Sequence, residues 1–254
     1  MSDDGKRMQC PICAARCLPL GVVDFNKCCG GAVDKVTPRL GVSVAYLLCD
    51  HCGFCFAPEF ADWSLEDFET RIYNDEYIHV DPDYVDARPR ANASSLLATF
   101  GDRGKAIRHL DYGGGSGLLR DLLRARGWSS ESYDPFVDRS VPVANLGQFD
   151  LVTAYEVFEH VPDVRRLIAD LASLLKPEGV VLFSTLLADG NVSKGGPLTW
   201  WYAAPRNGHI SLFSARSLAA LGALEGFAVG SFSPGLHAYW KRVPAWAAHI
   251  LRPA

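Results

Sequence analysis

The chain has 254 residues, 48% of them hydrophobic, which is enough to bury one full core and carry a small appendage. Its formal net charge of −4 gives no signal for binding a polyanion such as RNA. The first ten residues are polar, and no apolar run reaches the length of a membrane span. We therefore expect a cytoplasmic protein with no membrane partner.

The cysteines mark the start of the chain as a separate module, residues 1–60, because all eight fall within the first 55 residues. Two C-x-x-C pairs can supply four thiolates to one tetrahedral, structural zinc ion: Cys10, Cys13, Cys49 and Cys52. A segment this short buries little surface, so the metal would contribute folding free energy. The pattern resembles a zinc ribbon. In an alternative, the vicinal cysteine pair, Cys28 and Cys29, replaces one of these ligands. Cys55 is expected to pack as a small apolar residue.

Residues 61–104 are predicted to connect this module to the rest of the chain and to cover a ligand site. Ser64 precedes a predicted helix from Leu65 to Tyr73, and a second helix is predicted from about Arg90 to Phe100. Tyr77 and Arg88 lie in this aromatic and charged lead-in.

A glycine-rich stretch follows, between an apolar segment ending at Leu110 and a run of leucines at helical spacing. This order predicts a buried strand, a tight turn and a helix. Glycines let the backbone approach a ligand closely, and amides at a helix start favour a negatively charged or polar group. The stretch contains Asp111, Gly113, Gly114, Gly115 and Gly117.

The acidic residue and the G-x-G-x-G spacing resemble the first motif of class I S-adenosylmethionine-dependent methyltransferases. Asp134 follows 23 positions after Asp111, at the end of the next predicted strand. Segments 148–154 and 174–183 resemble that family's fourth strand and its turn into the fifth. The resemblance covers about 75–242 and implies a Rossmann-like, doubly wound α/β sheet of seven strands in residues 105–254. Only fifteen residues separate Asp134 from Asp150, so we expect the third strand to be abbreviated or missing.

The resemblance also implies a cofactor site for S-adenosylmethionine, in which the Asp134 carboxylate holds the ribose hydroxyls. Arg88 would pair with the cofactor carboxylate, since a guanidinium binds a carboxylate through two hydrogen bonds. Helix packing and a solvated charge are the alternative roles of Tyr77 and Arg88. The implied cofactor-binding residues are Asp111, Gly113, Gly114, Gly115, Gly117, Asp134, Tyr155, Tyr77 and Arg88.

The last third of the chain supplies candidates for a catalytic base. A helix is predicted from Asp163 to Leu175 and another over Ala215–Leu224 with Ser214 as its N-cap, followed by strands near 226–229 and 237–240. The base candidates are His160, His209 and the pair Glu156 and Glu159. The E-x-x-E-H spacing of Glu156, Glu159 and His160 resembles that of ubiquinone-biosynthesis O-methyltransferases, where these positions are linked to a divalent metal. Removal of the acceptor proton directly by one of these bases ranks above its activation by a bound divalent metal ion.

Two classes of function compete. The first is O- or C-methylation of a small molecule in biosynthetic or natural-product metabolism, which the aromatic Trp200–Trp201–Tyr202 suits. The second is methylation of RNA or protein, with the zinc ribbon binding the macromolecule. Residues 1–60 carry six basic and six acidic residues, so no nucleic-acid partner is expected. A scaffold that binds cofactor without turnover is a third option. The sequence does not determine the acceptor or the oligomeric state.

Overall fold

A computed structural model describes residues 9–30 and 38–251. Several charges counted above, Lys6, Arg7 and Lys35 among them, lie outside these ranges. The chain forms two compact units. The first takes the described residues up to Pro82 together with Phe158–Leu167 and Thr185–Leu221, and the second takes Asp83–Val157, Ile168–Ser184 and the described residues from Gly222 onward. Each unit joins distant parts of the chain, and the domain boundaries at 60 and 104 stay predictions.

Ten strands and six α-helices are described, in addition to short 3-10 turns. The strands are β1 Cys17–Asp24, β2 Ser43–Cys49, β3 Cys55–Phe56, β4 Arg108–Tyr112, β5 Ser129–Tyr133, β6 Phe149–Ala154, β7 Leu175–Ser184, β8 Ser211–Leu212, β9 Ala228–Ser233 and β10 Leu236–Trp240. The helices are α1 Leu65–Arg71, α2 Tyr77–Val80, α3 Ala87–Phe100, α4 Leu118–Arg124, α5 Val164–Ser173 and α6 Ala215–Ala223. None of these helices is long and apolar enough to cross a bilayer.

The helix boundaries follow local signals. Ser64 caps α1 through a reciprocal capping box with Asp67, which explains why the helix begins at Leu65. Ser214 caps α6 by accepting from the Ser217 backbone N–H at 3.1 Å, as predicted. The apolar stripe predicted for α5 is buried: Val164, Leu167, Ile168 and Leu171.

The second unit contains a mixed six-stranded sheet in the order β5-β4-β6-β7-β10-β9. The first four strands are parallel, and β10 is antiparallel to both β7 and β9. The α/β fold class is confirmed, with six strands in the described residues rather than seven. Between Asp134 and Asp150 the chain forms only the 3-10 turn Val143–Asn145, because fifteen residues leave no room for a further strand and helix.

The strand order places a topological switch point at β4, since the chain passes from β4 to β5 on one side and to β6 on the other. Ligands of open α/β sheets bind at the carboxyl ends of the strands at such a point. Leu110, Leu151 and Val152 on these central strands are fully buried. The sheet therefore holds the end of β4 rigidly where the glycine-rich turn begins.

The first unit contains a four-stranded antiparallel sheet in the order β1-β2-β3-β8. Its fourth strand comes from far along the chain, because Cys55 and Phe56 pair with Leu212 and Ser211. The cysteine-rich module is thus completed by residues outside 1–60.

Candidate functional sites

The glycine-rich turn after β4 is held by the end of β5. The backbone N–H groups of Gly113 and Gly114 both donate to the Tyr133 carbonyl oxygen, at 2.8 and 3.2 Å. The N–H of Gly115 donates to Asp134 Oδ2 at 3.0 Å. The turn therefore meets Asp134, which lies 19 positions after Gly115.

Two glycines in this turn are required for different reasons. A Cβ on Gly114 would lie 2.2 Å from Ser132 Oγ and 2.6 Å from Asp111 Oδ2, so a side chain does not fit there. Gly115 has a φ of +52°, and a Cβ built on it would meet no heavy atom within 4 Å. The space beside Gly115 is therefore open, so a ligand could approach its backbone.

Asp111 is almost fully buried beneath the turn. Its Oδ1 accepts a hydrogen bond from Thr153 Oγ1 at 2.8 Å. Burial raises the pKa of Asp111 to about 7, with a further increase from the negative charge of Asp134, against a lowering by the Thr153 hydrogen bond and Arg120. The charge of this carboxyl group is thus sensitive to a cation placed beside it.

The carboxylate of Asp134 is fixed by two backbone donors. Its Oδ1 accepts from the Phe136 N–H at 2.8 Å, and its Oδ2 accepts from Gly115. Carboxylate oxygens have additional lone pairs, so both can still accept hydrogen bonds from hydroxyl groups of a ligand.

The other three predicted cofactor-binding residues, Tyr155, Arg88 and Tyr77, do not all belong to the same unit. Tyr155 follows β6 in the second unit, where burial and the charge of Asp111 raise the pKa of its hydroxyl. Arg88 is half-buried on α3 in the same unit. Tyr77 belongs to the first unit, and its buried hydroxyl donates to the Asn207 carbonyl oxygen at 3.2 Å. A cofactor contact stays a prediction for all three residues.

Four cysteine sulfurs come together in the first unit: Cys10, Cys13, Cys49 and Cys52, all within 4.8 Å of one another. Cys10 Sγ lies 3.6 Å from Cys52 Sγ, and Cys13 Sγ lies 3.5 Å from Cys49 Sγ. These are the four sulfurs that the two C-x-x-C pairs predicted. Hydrogen bonds from the Cys17 and Cys52 thiols lower the pKa of Cys10, whereas the hydrogen bond to Cys10 and burial raise the pKa of Cys52.

Later parts of the chain hold both C-x-x-C turns in place within the first unit. Arg165 donates to the backbone carbonyls of Pro11 and Ile12 in the first turn. Ser214 Oγ donates to the Cys52 carbonyl oxygen at 2.6 Å in the second turn. The sequence offered no signal for these contacts, which join positions far apart in the chain.

The remaining cysteines lie elsewhere. Cys55 is fully buried on β3, as expected for a small apolar residue. Cys29 Sγ lies 3.4 Å from His209 Nδ1, and neither member of the vicinal cysteine pair belongs to the four-sulfur group. No disulfide joins any of the eight cysteines, all of which lie in the described residues.

A second polar group in the first unit contains both predicted histidines. Glu159, His160 and His209 each offer one side-chain atom that could bind a metal ion, and these three atoms lie within 4.8 Å of one another. Glu159 is fully buried and accepts a hydrogen bond from the Tyr202 hydroxyl. We refer to these three residues as the histidine cluster.

Neighbouring groups orient both imidazole rings. His160 Nδ1 lies 3.0 Å from the Tyr73 hydroxyl, and His209 Nδ1 lies 3.0 Å from the Tyr202 carbonyl oxygen. A carbonyl only accepts, so Nδ1 of a neutral His209 carries the proton and Nε2 carries the lone pair. The sequence reasoning missed Tyr73 as a partner of this cluster.

Glu156 does not continue a helical turn into Glu159 and His160. Its backbone has a φ of +54°, and the 3-10 turn begins only at Phe158. The Ser184 hydroxyl donates to Glu156 Oε1 at 2.7 Å, and the backbone N–H of Glu156 donates to the oxygen of that hydroxyl, Ser184 Oγ. The single helical face considered for the E-x-x-E-H motif is therefore not formed, because the left-handed residue breaks the repeat.

A family model described as a methyltransferase domain matches residues 84–231. The ubiquinone biosynthesis O-methyltransferase of Chromobacterium violaceum is 34% identical over 125 residues, covering 39% of this chain and 54% of that protein. The protein of the same name from Bordetella avium is 36% identical over 102 residues, covering 31% and 42%. An O-methyltransferase family protein from Burkholderia thailandensis has a TM-score of 0.48 and 20% identity, covering 70% of this chain and 63% of that chain. The chain spans about half the length of the curated relatives it matches.

Proposed function

Because the chain belongs to the methyltransferase-domain family, we propose that it transfers a methyl group from S-adenosylmethionine to a small-molecule acceptor. The observation that carries this proposal is the contact between the Gly115 amide and the Asp134 carboxylate. It joins the glycine-rich turn to the acidic residue of the next strand at the switch point of the sheet.

The residues of this site fit an adenosyl cofactor. Open space beside Gly115 admits a ligand against the backbone, and Asp134 presents carboxylate oxygens to ribose hydroxyls. Buried Asp111 offers a negative charge to a cationic group. The cofactor supplies a methyl group on a sulfonium sulfur. Tyr155, Tyr77 and Arg88 are proposed to complete the site.

The chain would contribute alignment and a base. Holding the acceptor in line with the methyl carbon supplies a large part of the rate enhancement in such transfers. An acceptor hydroxyl or acidic carbon must also lose a proton, and we propose His209 or His160 for that role, with Glu156 as a further candidate. The lone pair on His209 Nε2 supports the assignment. Metal assistance through Glu156, Glu159 and His160 ranks below direct base catalysis, since these residues do not share a helical face.

We propose that the four-cysteine group binds one structural zinc ion. A tetrahedral site with Zn–S distances near 2.3 Å separates its sulfurs by about 3.8 Å. The two measured sulfur–sulfur distances of 3.5 and 3.6 Å are close to that value. Four sulfurs this close, three of them on buried cysteines, repel one another as thiolates, and a divalent cation removes the repulsion. The ion would stabilise the zinc ribbon of the first unit.

A small-molecule acceptor is preferred over RNA or protein. The relatives described above are named for ubiquinone biosynthesis, which supports O-methylation of a small molecule without identifying the acceptor. The balanced charge of residues 1–60 argues against nucleic acid as a partner. Eight cysteines with no disulfide among them suit a reducing compartment, and we place the reaction in the cytoplasm.

Mass spectrometry tests the proposal in two steps. The purified protein is first analysed for a co-purified adenosyl ligand, and it is then incubated with S-adenosylmethionine and a panel of phenols, enols and sugars. We expect a bound adenosyl ligand and a product heavier by one methylene unit. A protein that neither retains nor binds an adenosyl ligand would contradict the proposal.

A further inference from the structure

A chain of four buried polar side chains crosses three strands of the second unit beneath the glycine-rich turn. Ser130 Oγ on β5 lies 2.7 Å from His109 Nδ1 on β4. His109 Nε2 lies 2.9 Å from Thr153 Oγ1 on β6, which in turn lies 2.8 Å from Asp111 Oδ1. The first three side chains are at most 2% exposed and Asp111 is 5% exposed. This set of contacts connects the sheet interior to the proposed cofactor site.

The direction of every hydrogen bond follows from the charge of Asp111. An ionised carboxylate only accepts, so the single Thr153 hydroxyl proton goes to Asp111. Thr153 must then accept from His109, which requires the proton on Nε2 and leaves a lone pair on Nδ1 for the Ser130 hydroxyl. Burial lowers the pKa of His109 to about 3, so its ring is neutral and both of its nitrogens are used.

We propose that Thr153 and His109 are positioning residues of the cofactor site, holding the Asp111 carboxylate with Oδ1 occupied and Oδ2 directed toward the glycine-rich turn. The position of Oδ2, 2.6 Å from where a Gly114 Cβ would stand, gives this direction. The ligand chemistry that fits is a cationic group such as the ammonium group of an adenosyl amino acid. This inference rests on the proposed function, since it assigns a role within the same site.

Protonation of Asp111 can reverse the direction of the hydrogen bonds that join it to Thr153 and His109. A protonated carboxyl group can donate to Thr153, which can then donate to His109 Nε2 and shift the ring proton to Nδ1. The charged groups acting on Asp111 are Asp134, which opposes its ionisation, and Arg120, which favours it, while Tyr155 stays neutral because its pKa is raised. Since the pKa of Asp111 is raised to about 7, affinity for a cationic ligand should increase as pH rises through 7 and then level off.

The first test follows His109 in the ligand-free protein by ¹⁵N NMR between pH 5 and 9. We expect the Nε2–H tautomer at high pH and a shift toward Nδ1–H as Asp111 is protonated. Thr153→Val keeps the side-chain shape and removes the hydroxyl, so His109 should no longer respond to Asp111. Thr153→Ser should restore the response.

The second test measures binding of S-adenosylhomocysteine by calorimetry at pH 6, 7 and 8. Thr153→Val should bind roughly tenfold more weakly at pH 8 and reach its plateau at a higher pH, because Asp111 loses a donor to its ionised form. Thr153→Ser should stay close to the wild type.

The outcomes separate the two claims. A His109 tautomer that is the same at every pH, or a Thr153→Val protein with the wild-type NMR response and pH profile, would overturn the positioning role. A wild-type protein that shows the coupled NMR response and binds no adenosyl ligand would overturn both the proposed function and the assignment to a cofactor site, while leaving the coupling between His109 and Asp111 in place.

Discussion

The substitution Gly115→Val is the most informative single change in the proposed cofactor site. Gly115 has a φ of +52°, which costs an L-residue about 1–2 kcal/mol. For a chain of this length that corresponds to a decrease in Tm of about 2–8 °C. No heavy atom lies within 4 Å of the added Cβ, so the side chain extends into the open space without disturbing the core.

Ligand binding should respond far more strongly than stability does. The valine carbons occupy space proposed for the cofactor, so we expect S-adenosylhomocysteine affinity to fall by at least roughly hundredfold, or about 2.7 kcal/mol. Isothermal titration calorimetry measures the affinity, and a thermal melt without ligand measures the stability of the same preparation.

Gly226→Val is the matched control. Gly226 has a φ of +74° in the same unit, and a Cβ there also meets nothing within 4 Å. Its valine variant should lose a similar amount of stability and keep the wild-type affinity. The reasoning fails if the Gly115 variant binds within about twofold of wild type, or if the Gly226 variant loses affinity equally.

Four further outcomes are expected. Asp134→Ala should weaken S-adenosylhomocysteine binding measured by calorimetry, because the ribose hydroxyls lose their acceptor; unchanged affinity would remove that role. Metal analysis should find about one zinc per chain and none in the double variant Cys49→Ser, Cys52→Ser, while zinc retained there would point to the vicinal cysteine pair. A gel-shift assay near physiological salt should detect negligible RNA binding, and clear affinity would favour the macromolecular alternative. Turnover of an identified acceptor should fall in His160→Ala or His209→Ala. It should not change when a chelator that leaves the structural zinc bound is added. Loss of turnover on chelation, with recovery in magnesium, would place metal assistance above direct base catalysis.

Local features of the fold were predictable because each rests on contiguous residues. The turn at 113–117 and the capped starts of α1 and α6 need only glycines and a serine at the right positions. The short connection between Asp134 and Asp150 likewise predicted a reduced sheet. The two C-x-x-C pairs predicted the four-sulfur group, because thiols at that spacing converge on a tetrahedral centre.

Features formed by distant residues were not predictable from the sequence alone. The pairing of β3 with β8 depends on residues more than 150 positions apart, and no local pattern in Cys55–Phe56 indicates it. The left-handed backbone of Glu156 is equally hidden, since a glutamate carries no signal for positive φ. The contacts of His109 with Ser130 and Thr153 likewise join three strands that lie apart in the sequence.

The central claim, methyl transfer to a small molecule, is tested most directly with methyl-labelled S-adenosylmethionine. Wild-type protein and the Gly115→Val control are incubated with the labelled cofactor and a cell extract divided into small-molecule, RNA and protein fractions. We predict label in the small-molecule fraction with the wild type and none with the variant. Label confined to the RNA or protein fraction, or equal transfer by both proteins, would contradict the account.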